Sequence, residues 1–203
     1  MTAEPAIRMY HRPVCPYCRR VRVYLAERGL EAELVHFDPK LHRQELERLN
    51  PKAQVPTCEF AGGPTLWDST IIIQYVEETH PPSKLFPEDP AARARMRLLY
   101  DLSDHRLADT VVGFVRAPLD HPERPKHRDL FKRLVKDALP HLDPNGPFVE
   151  GATFSFADLS VPLLVFRVME AGFRADELPE RVQRWCEAVR ERPTVRELFP
   201  PPA

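Results

Sequence analysis

Long apolar runs are missing from this sequence: none approaches the roughly 20 residues that a helix needs to cross a bilayer. The opening MTAEPAIRMY also lacks the apolar stretch of a secretory signal, so we expect no signal peptide. Four cysteines in 203 residues are too few for a disulfide scaffold. The net charge of −1 provides no field that would attract nucleic acid or anionic lipid. We therefore expect a soluble protein of a reducing, cytoplasmic compartment, with no nucleic-acid or membrane partner.

The composition is that of a globular protein. Hydrophobic residues make up 43% and charged residues 29%, which excludes disorder of the whole chain. The length allows one large domain or two small ones, each with its own core. The stretch PPSKLFPEDP at 81–90 has four prolines and no periodicity, which predicts a stiff linker. We therefore expect one domain over 1–80 and a second over 91–203.

The first 80 residues alternate between strand and helix patterns. A helix pattern at CPYCRRVRVYLAERG lies between two strand patterns and ends at Gly29, which predicts a βαβ unit with parallel strands. Ser69 is the expected N-cap of a later helix. The predicted order of elements is a strand (6–10), a helix (15–29), a strand (33–38), a short helix (42–50), two strands (both within 54–69) and a helix (69–80).

Only helix patterns follow the predicted linker. They cover 91–114, 128–139, 154–172 and 178–193. The expected buried stripe of the first helix is Met96, Leu99, Ser103, Leu107 and Val111, and that of the second is Leu130, Leu134 and Leu139. The predicted fold class is therefore an α/β domain followed by an all-helical domain.

Two cysteines, Cys15 and Cys18, stand three residues apart where the first helix begins. A cysteine in a first helical turn faces unpaired N–H groups and the positive end of the helix dipole, which can lower its pKa to roughly 3.5–7.5. Cys15 would then be the exposed attacking sulfur and Cys18 the inward resolving one. Positive potential is expected from Arg12, Arg19 and Arg20.

Two other interpretations of the cysteine pair remain open. It could be half of a zinc site, but Cys58 and Cys186 are isolated and no histidine pair accompanies them, so no metal is expected. It could also be a packed pair without chemistry.

The order strand, CPYC, helix, Val55-Pro56, Asp68-Ser69 resembles the thioredoxin-fold domain of glutathione transferases and glutaredoxins. The helical continuation is similar to the glutathione S-transferase superfamily over essentially the whole chain. CPYC itself resembles the cysteine-type members, namely omega-class transferases and two-domain bacterial glutaredoxins. The resemblance implies an N-terminal thioredoxin-like βαβ-α-ββα domain and a C-terminal helical bundle.

The resemblance also implies a glutathione site. Val55, before a cis Pro56, would pair with the cysteinyl part of glutathione, and Asp68-Ser69 would hold the γ-glutamyl group. A basic residue among Lys40, His42 and Arg43 would bind the glycyl carboxylate. The implied catalytic residues are Cys15 and Cys18, and the implied glutathione-binding residues are Tyr17, His42, Gln54, Val55, Pro56, Asp68 and Ser69.

The implied activity is glutathione-dependent thiol transfer and disulfide reduction through a mixed disulfide on Cys15, with glutathione as co-substrate. The second substrate would be a small-molecule or protein disulfide or an electrophile. The family implies a homodimer, although two-domain glutaredoxins are monomeric. A non-enzymatic binding or regulatory protein on the same fold is the alternative.

Several other residues carry narrower expectations. Ser155 and Asp158 resemble the family's helix-capping motif, and Trp185 and Cys186 are expected in the core. Cys58 is either a core thiol or a third redox partner. A pocket for the second substrate is expected near Tyr100, Ser103, Asp104 and His105.

Overall fold

The computed structural model describes residues 6–82 and 85–200. The chain divides between residues 83 and 84 into two compact units. The predicted linker at 81–90 spans this division, and its residues 83 and 84 lie outside the described residues. The domain boundaries at 80 and 91 stay predictions.

The N-terminal unit contains the predicted series of elements. They are β1 Ile7–His11, α1 Pro16–Arg28, β2 Glu33–His36, α2 Pro39–Leu49, β3 Thr57–Phe60, β4 Thr65–Trp67 and α3 Ser69–Thr79. The short helix α2 starts earlier than the predicted residue 42. Its start is set by Asp38, whose side chain accepts the N–H of Lys40.

One four-stranded sheet, in the order β2-β1-β3-β4, organises this unit. The strand β1 runs parallel to β2 and antiparallel to β3, which confirms the predicted parallel pair. Because side chains alternate along a strand, Met9 and Tyr10 point to opposite faces. Tyr10 lies in a buried cluster with Phe37 and Leu46, so α2 covers its face of the sheet.

The helix α1 ends where the sequence predicts. Gly29 adopts the left-handed conformation (φ 67°) and donates its N–H to carbonyls of the last turn. Below it, Arg28 and Glu77 form an ion pair whose side chains are 4% and 5% exposed, and Tyr24 hydrogen-bonds to both. This buried group ties α1 to α3.

The start of α3 differs from the prediction. Its N-cap is Asp68, not Ser69: the Asp68 Oδ1 accepts the N–H groups of Thr70 at 2.9 Å and Ile71 at 3.3 Å. Asp68 has a φ of 73°, and this turn brings its carboxylate back over the helix end. Ser69 is therefore the first helical residue and is buried.

The C-terminal unit is helical, as predicted. Its helices are α4 Pro90–Asp101, α5 Ala108–Arg116, α6 Arg124–Val135, α7 Val161–Glu170, α8 Glu180–Arg190 and α9 Pro193–Leu198. A π-helical segment, Leu102–Leu107, joins α4 to α5, and shorter 3₁₀ turns cover Lys136–His141, Phe156–Leu159 and Ala175–Glu177. The five residues of the first predicted stripe are all buried, so that face is confirmed.

Two details of the helical prediction are wrong. Leu130, Leu134 and Leu139 are only half-buried. The neighbouring stripe of Phe131 and Val135 is buried instead, because the large Phe131 ring packs edge-on against Phe173.

The predicted helix at 154–172 is also divided. A 3₁₀ turn ends at Ser160, and α7 begins anew with Pro162 in its first turn, since proline cannot continue a preceding helix. The capping box of Ser155 and Asp158 is confirmed at this turn. Trp185 is fully buried and donates its indole N–H to Asp158 at 2.7 Å, which confirms its core position.

Candidate functional site

Cys15 occupies the N-cap of α1. Its backbone is extended (φ −78°, ψ 118°), and Pro16 follows inside the first helical turn, where a missing N–H costs no hydrogen bond. Cys15 is half-buried, whereas Cys18, one turn further on, is fully buried. Both are free thiols in this structure.

The two thiols differ in acidity. The hydrogen bond from Cys18 lowers the pKa of Cys15 to about 7, with further help from the N–H groups of Cys18 and Tyr17 and the charge of Arg20, against the effect of burial. Burial raises the pKa of Cys18 well above its ordinary value, and its hydrogen bond with Cys15 adds to this effect. The Cys15 thiol is therefore more acidic than an ordinary cysteine, and the Cys18 thiol is its buried S–H donor.

The remaining cysteines lack this acidity. Burial raises the pKa of Cys58, and it raises the pKa of Cys186 to about 12. Cys58 is fully buried on β3 and pairs with Met9 of β1, so its side chain lies on the face of the sheet opposite Tyr10 and α2. In this structure Cys58 is therefore a thiol of the hydrophobic core.

The loop before β3 faces the Cys15 sulfur. The Val55-Pro56 peptide is cis, as the resemblance implies, and the Val55 carbonyl oxygen lies 3.9 Å from Cys15 Sγ. No acceptor for the Val55 N–H is found in the described part of the chain. Pro56 is buried and Gln54 is exposed. The loop therefore offers an open backbone edge beside the thiolate.

Asn50 holds this loop in place, a role that sequence reasoning missed. It is fully buried, and its side-chain amide donates to the Gln54 carbonyl at 3.1 Å and to Thr57 Oγ1 at 3.0 Å. An asparagine before Pro51 predicts only a helix end. Its contact with the loop depends on the tertiary fold.

The second part of the predicted site lies at the start of α3. Asp68 is exposed, and the hydroxyl of buried Ser69 accepts a hydrogen bond from Arg20 Nη1 at 3.1 Å. The Arg20 guanidinium carbon also stands 5.1 Å from the centre of the Tyr17 ring. Arg20 therefore connects the cysteine helix with Ser69.

The three basic residues on α2 that could bind the glycyl carboxylate differ in their hydrogen-bond and ion-pair partners. The Nδ1 atom of His42 accepts the Asp38 N–H at 3.1 Å, and Arg43 pairs with Glu47 at 2.8 Å. Lys40 is exposed. His42 and Gln54 do not join the hydrogen-bonded group around Cys15 in the described residues.

In the helical unit, the polar side chains expected near a second substrate mostly bond within the unit. The Tyr100 hydroxyl donates to the Phe156 carbonyl at 2.5 Å, and Ser103 donates to Asp104 at 2.5 Å. Exposed His105 lies 3.2 Å from Asp101. The pocket stays a prediction.

Within the described residues, no group of three or more His, Cys, Asp or Glu side chains could hold a metal ion. In the same part of the chain, no helix is long and apolar enough to span a membrane.

Comparison with known proteins identifies the family. The model of the glutathione S-transferase N-terminal domain matches residues 9–84. A probable maleylacetoacetate isomerase from Caenorhabditis elegans is 30% identical over 170 residues, which is 80% of this chain and 78% of that protein. The chain belongs to the glutathione S-transferase superfamily. The resemblance based on CPYC and the neighbouring motifs is thereby confirmed at the level of the family.

Omega-class members are among the relatives of this glutathione S-transferase. Omega-1 from Rattus norvegicus is 31% identical over 121 residues, or 59% of this chain and 50% of that protein. The chain thus spans half the length of that omega relative. The crystal structure of glutathione transferase Omega 3C from Trametes versicolor superposes with a TM-score of 0.81, covering 99% of this chain and 92% of that one at 24% identity. This agreement confirms the thioredoxin-like unit followed by a helical unit.

Proposed function

We propose that this glutathione S-transferase is a glutathione-dependent thiol transferase and disulfide reductase that acts through Cys15. The single observation that carries the proposal is the Cys15 thiol: the residue is half-buried, the pKa of its thiol is lowered to about 7, and a buried neighbouring thiol donates to it. A hydroxyl-type transferase has no use for such a sulfur. The omega-class relatives support the same choice.

The chemistry is two successive thiol–disulfide exchanges. The Cys15 thiolate attacks the glutathionyl sulfur of a glutathionylated substrate, the enzyme–glutathione disulfide forms, and the substrate leaves as a thiolate that takes up a proton. A second glutathione thiolate then attacks the same glutathionyl sulfur, glutathione disulfide leaves, and the Cys15 thiolate returns. Each turnover converts one mixed disulfide and one glutathione into one substrate thiol and one glutathione disulfide.

Glutathione would lie along the Val55 loop, next to the cis Pro56. The N–H of Val55, which is unpaired among the described residues, and its carbonyl, which also faces Cys15 Sγ, would pair with the cysteinyl backbone of glutathione, as one strand pairs with another. The exposed Asp68 carboxylate would meet the γ-glutamyl ammonium, and Ser69 at the start of α3 would meet its carboxylate. Gln54 and Tyr17 would border the ligand.

We assign the glycyl carboxylate to His42. Because its Nδ1 already accepts the Asp38 N–H, the ring proton of neutral His42 lies on Nε2, where it can be donated to a carboxylate. Arg43 is engaged by Glu47. The expected result of His42→Gln is a higher KM for glutathione with little change in kcat.

The test of the activity is glutathione-dependent reduction of a small glutathione mixed disulfide by the wild type, Cys15→Ser and Cys18→Ser. Turnover lost only in Cys15→Ser indicates a monothiol cycle. Loss in both variants indicates a dithiol mechanism and favours protein disulfides as substrates. Absence of turnover in the wild type, with glutathione bound, refutes the proposal and favours the non-enzymatic binding alternative.

A second candidate is a glutathione-dependent isomerase. It is favoured by the Caenorhabditis elegans relative, which is named a probable maleylacetoacetate isomerase and is matched over most of its length. Isomerisation of maleylacetoacetate that persists in Cys15→Ser would support this candidate, because disulfide exchange cannot occur without that sulfur.

We further propose a cytoplasmic homodimer. A reducing compartment would keep Cys15 and Cys18 as thiols between turnovers. The homodimer follows from the family resemblance, and light scattering of the purified protein tests it. A mass of one chain would support the monomeric alternative, and a mass of three chains would match the trimer for which Leishmania TDR1 is named.

A further inference from the structure

A buried arginine lies between the two halves of the proposed site. Arg20 is 1% exposed, and its Nη1 donates to the Ser69 hydroxyl at 3.1 Å. Its guanidinium carbon is also 5.1 Å from the centre of the Tyr17 ring. Burying a guanidinium is costly, and an apolar side chain in such a place is often as stable or more stable.

The charge of Arg20 acts on the catalytic sulfur. Arg20 lies five residues after Cys15, the N-cap of α1, and packs on Tyr17 of the same first turns; its charge makes the smallest contribution to the lowered pKa of the Cys15 thiol. The neighbouring Arg19 is used differently, because its Nε donates to the Pro13 carbonyl at 2.6 Å. The low dielectric around a buried cation makes its charge felt more strongly than that of a solvated arginine.

In the hydrogen bond between Arg20 and Ser69, the arginine is the donor and the serine oxygen is the acceptor. Since the Ser69 oxygen accepts from Arg20, its own O–H proton remains to be donated elsewhere. The position is the first residue of α3, where an anion is favoured by the helix N-terminus. The hydroxyl is thereby oriented as a donor for a carboxylate.

We propose that Arg20 is a positioning residue shared by both halves of the site: it supports the Cys15 thiolate and orients the Ser69 hydroxyl toward the γ-glutamyl carboxylate. The Ser69 half rests on the proposed function, whereas the Cys15 half does not need glutathione. One substitution at Arg20 should therefore change two properties that are otherwise independent.

The first measurement is the pH midpoint of the reaction of Cys15 with a small aromatic disulfide, in the absence of glutathione. We expect Arg20→Met to raise the midpoint by roughly a few tenths of a unit, less than the loss of the Cys18 hydrogen bond, because the Arg20 charge contributes least among the causes that lower this pKa. Arg20→Lys should keep most of the effect, because it keeps the charge. Ser69→Ala and the matched control Arg22→Met should leave the midpoint unchanged, because Ser69 has no charge and the Arg22 charge acts on His11.

The second measurement is the Kd of S-methylglutathione, a ligand that cannot exchange disulfides. We expect Ser69→Ala and Arg20→Met each to weaken binding roughly three- to tenfold, as for one lost hydrogen bond. The double variant should bind no more weakly than the weaker single variant, because both changes remove the same contact. Arg20→Lys should weaken binding while keeping the low midpoint, since an ammonium lacks the guanidinium fork.

A folded Arg20→Met with the wild-type midpoint, or weakening that adds in the double variant, overturns the inference. If Arg20→Met does not fold, Arg20→Lys and Ser69→Ala are used for the test. A low midpoint and equally weakened binding of S-methylglutathione in both variants support the role of Arg20 in orienting Ser69. Wild-type binding in Arg20→Lys overturns that role. Failure of the proposed function is recognised separately, because a wild type without turnover still has a midpoint, which Arg20→Met should change, and a Kd for S-methylglutathione, which Arg20→Met and Ser69→Ala should change.

Discussion

Cys15 should react faster than an ordinary thiol at pH 6 and more slowly at pH 9. A pKa of about 7 instead of 9.0 gives roughly 90 times more thiolate at pH 6. The same shift lowers the intrinsic nucleophilicity by roughly eightfold, for a Brønsted coefficient of about 0.45. The net expectation is an advantage of about tenfold at pH 6. At pH 9 the thiolate gain is only about twofold, so Cys15 should then be about four times slower.

The assay is the rate of reaction with an aromatic disulfide that releases a coloured thiol, measured from pH 5 to pH 10. It is best done in Cys18→Ser, where no second thiol can resolve the mixed disulfide. Cys58 and Cys186 are buried and have raised pKa values, so they should not contribute at early times.

The matched variant is Cys18→Ala. The hydrogen bond from Cys18 is the largest cause of the lowered pKa of Cys15, and serine keeps a donor whereas alanine does not. We expect the midpoint near 7 in Cys18→Ser and about one unit higher in Cys18→Ala. A midpoint near 9 in Cys18→Ser, or the same midpoint in both variants, would refute the reasoning.

Two further predictions concern stability, measured by urea unfolding. Glu77→Gln leaves the buried Arg28 charge uncompensated and should cost about 3–5 kcal/mol of unfolding free energy. Its control, Arg43→Gln in an exposed pair, should cost about 0.5 kcal/mol or less, and equal costs would contradict the argument. Burial raises the pKa of Asp158 from 3.8 to about 6, so the native state holds this proton more tightly than the unfolded chain. Relative to Asp158→Asn, the wild type should lose about 2 kcal/mol of unfolding free energy as pH rises from 4 to 7, and a flat difference would disprove it.

Local signals in the sequence predicted much of the fold. Gly29 ends α1 because the left-handed position it occupies favours glycine, and Ser155 and Asp158 form their box because both partners lie within one turn. The prediction from sequence was wrong where two adjacent residues, or two adjacent stripes of a helix, fit the same local pattern. Asp68 and Ser69 are both good caps, and the turn into α3 favoured the first. On α6, two adjacent stripes are apolar, and the position of Phe173 selected the one with Phe131.

The candidate site also combines features that the local sequence predicts with contacts that it does not predict. The sequence by itself determined that Cys15 stands at a helix N-terminus with Cys18 one turn later, because both facts depend on a spacing of three residues and on Pro16. Only the tertiary structure brought the Val55 carbonyl, 40 residues away, to the sulfur, and joined Arg20 to Ser69 across 49 residues. Such contacts depend on how helices and strands pack, and residue patterns within one element carry no information about them. The physical reason is that a local pattern selects an element and its buried face, whereas the packing of those faces decides which distant polar groups meet.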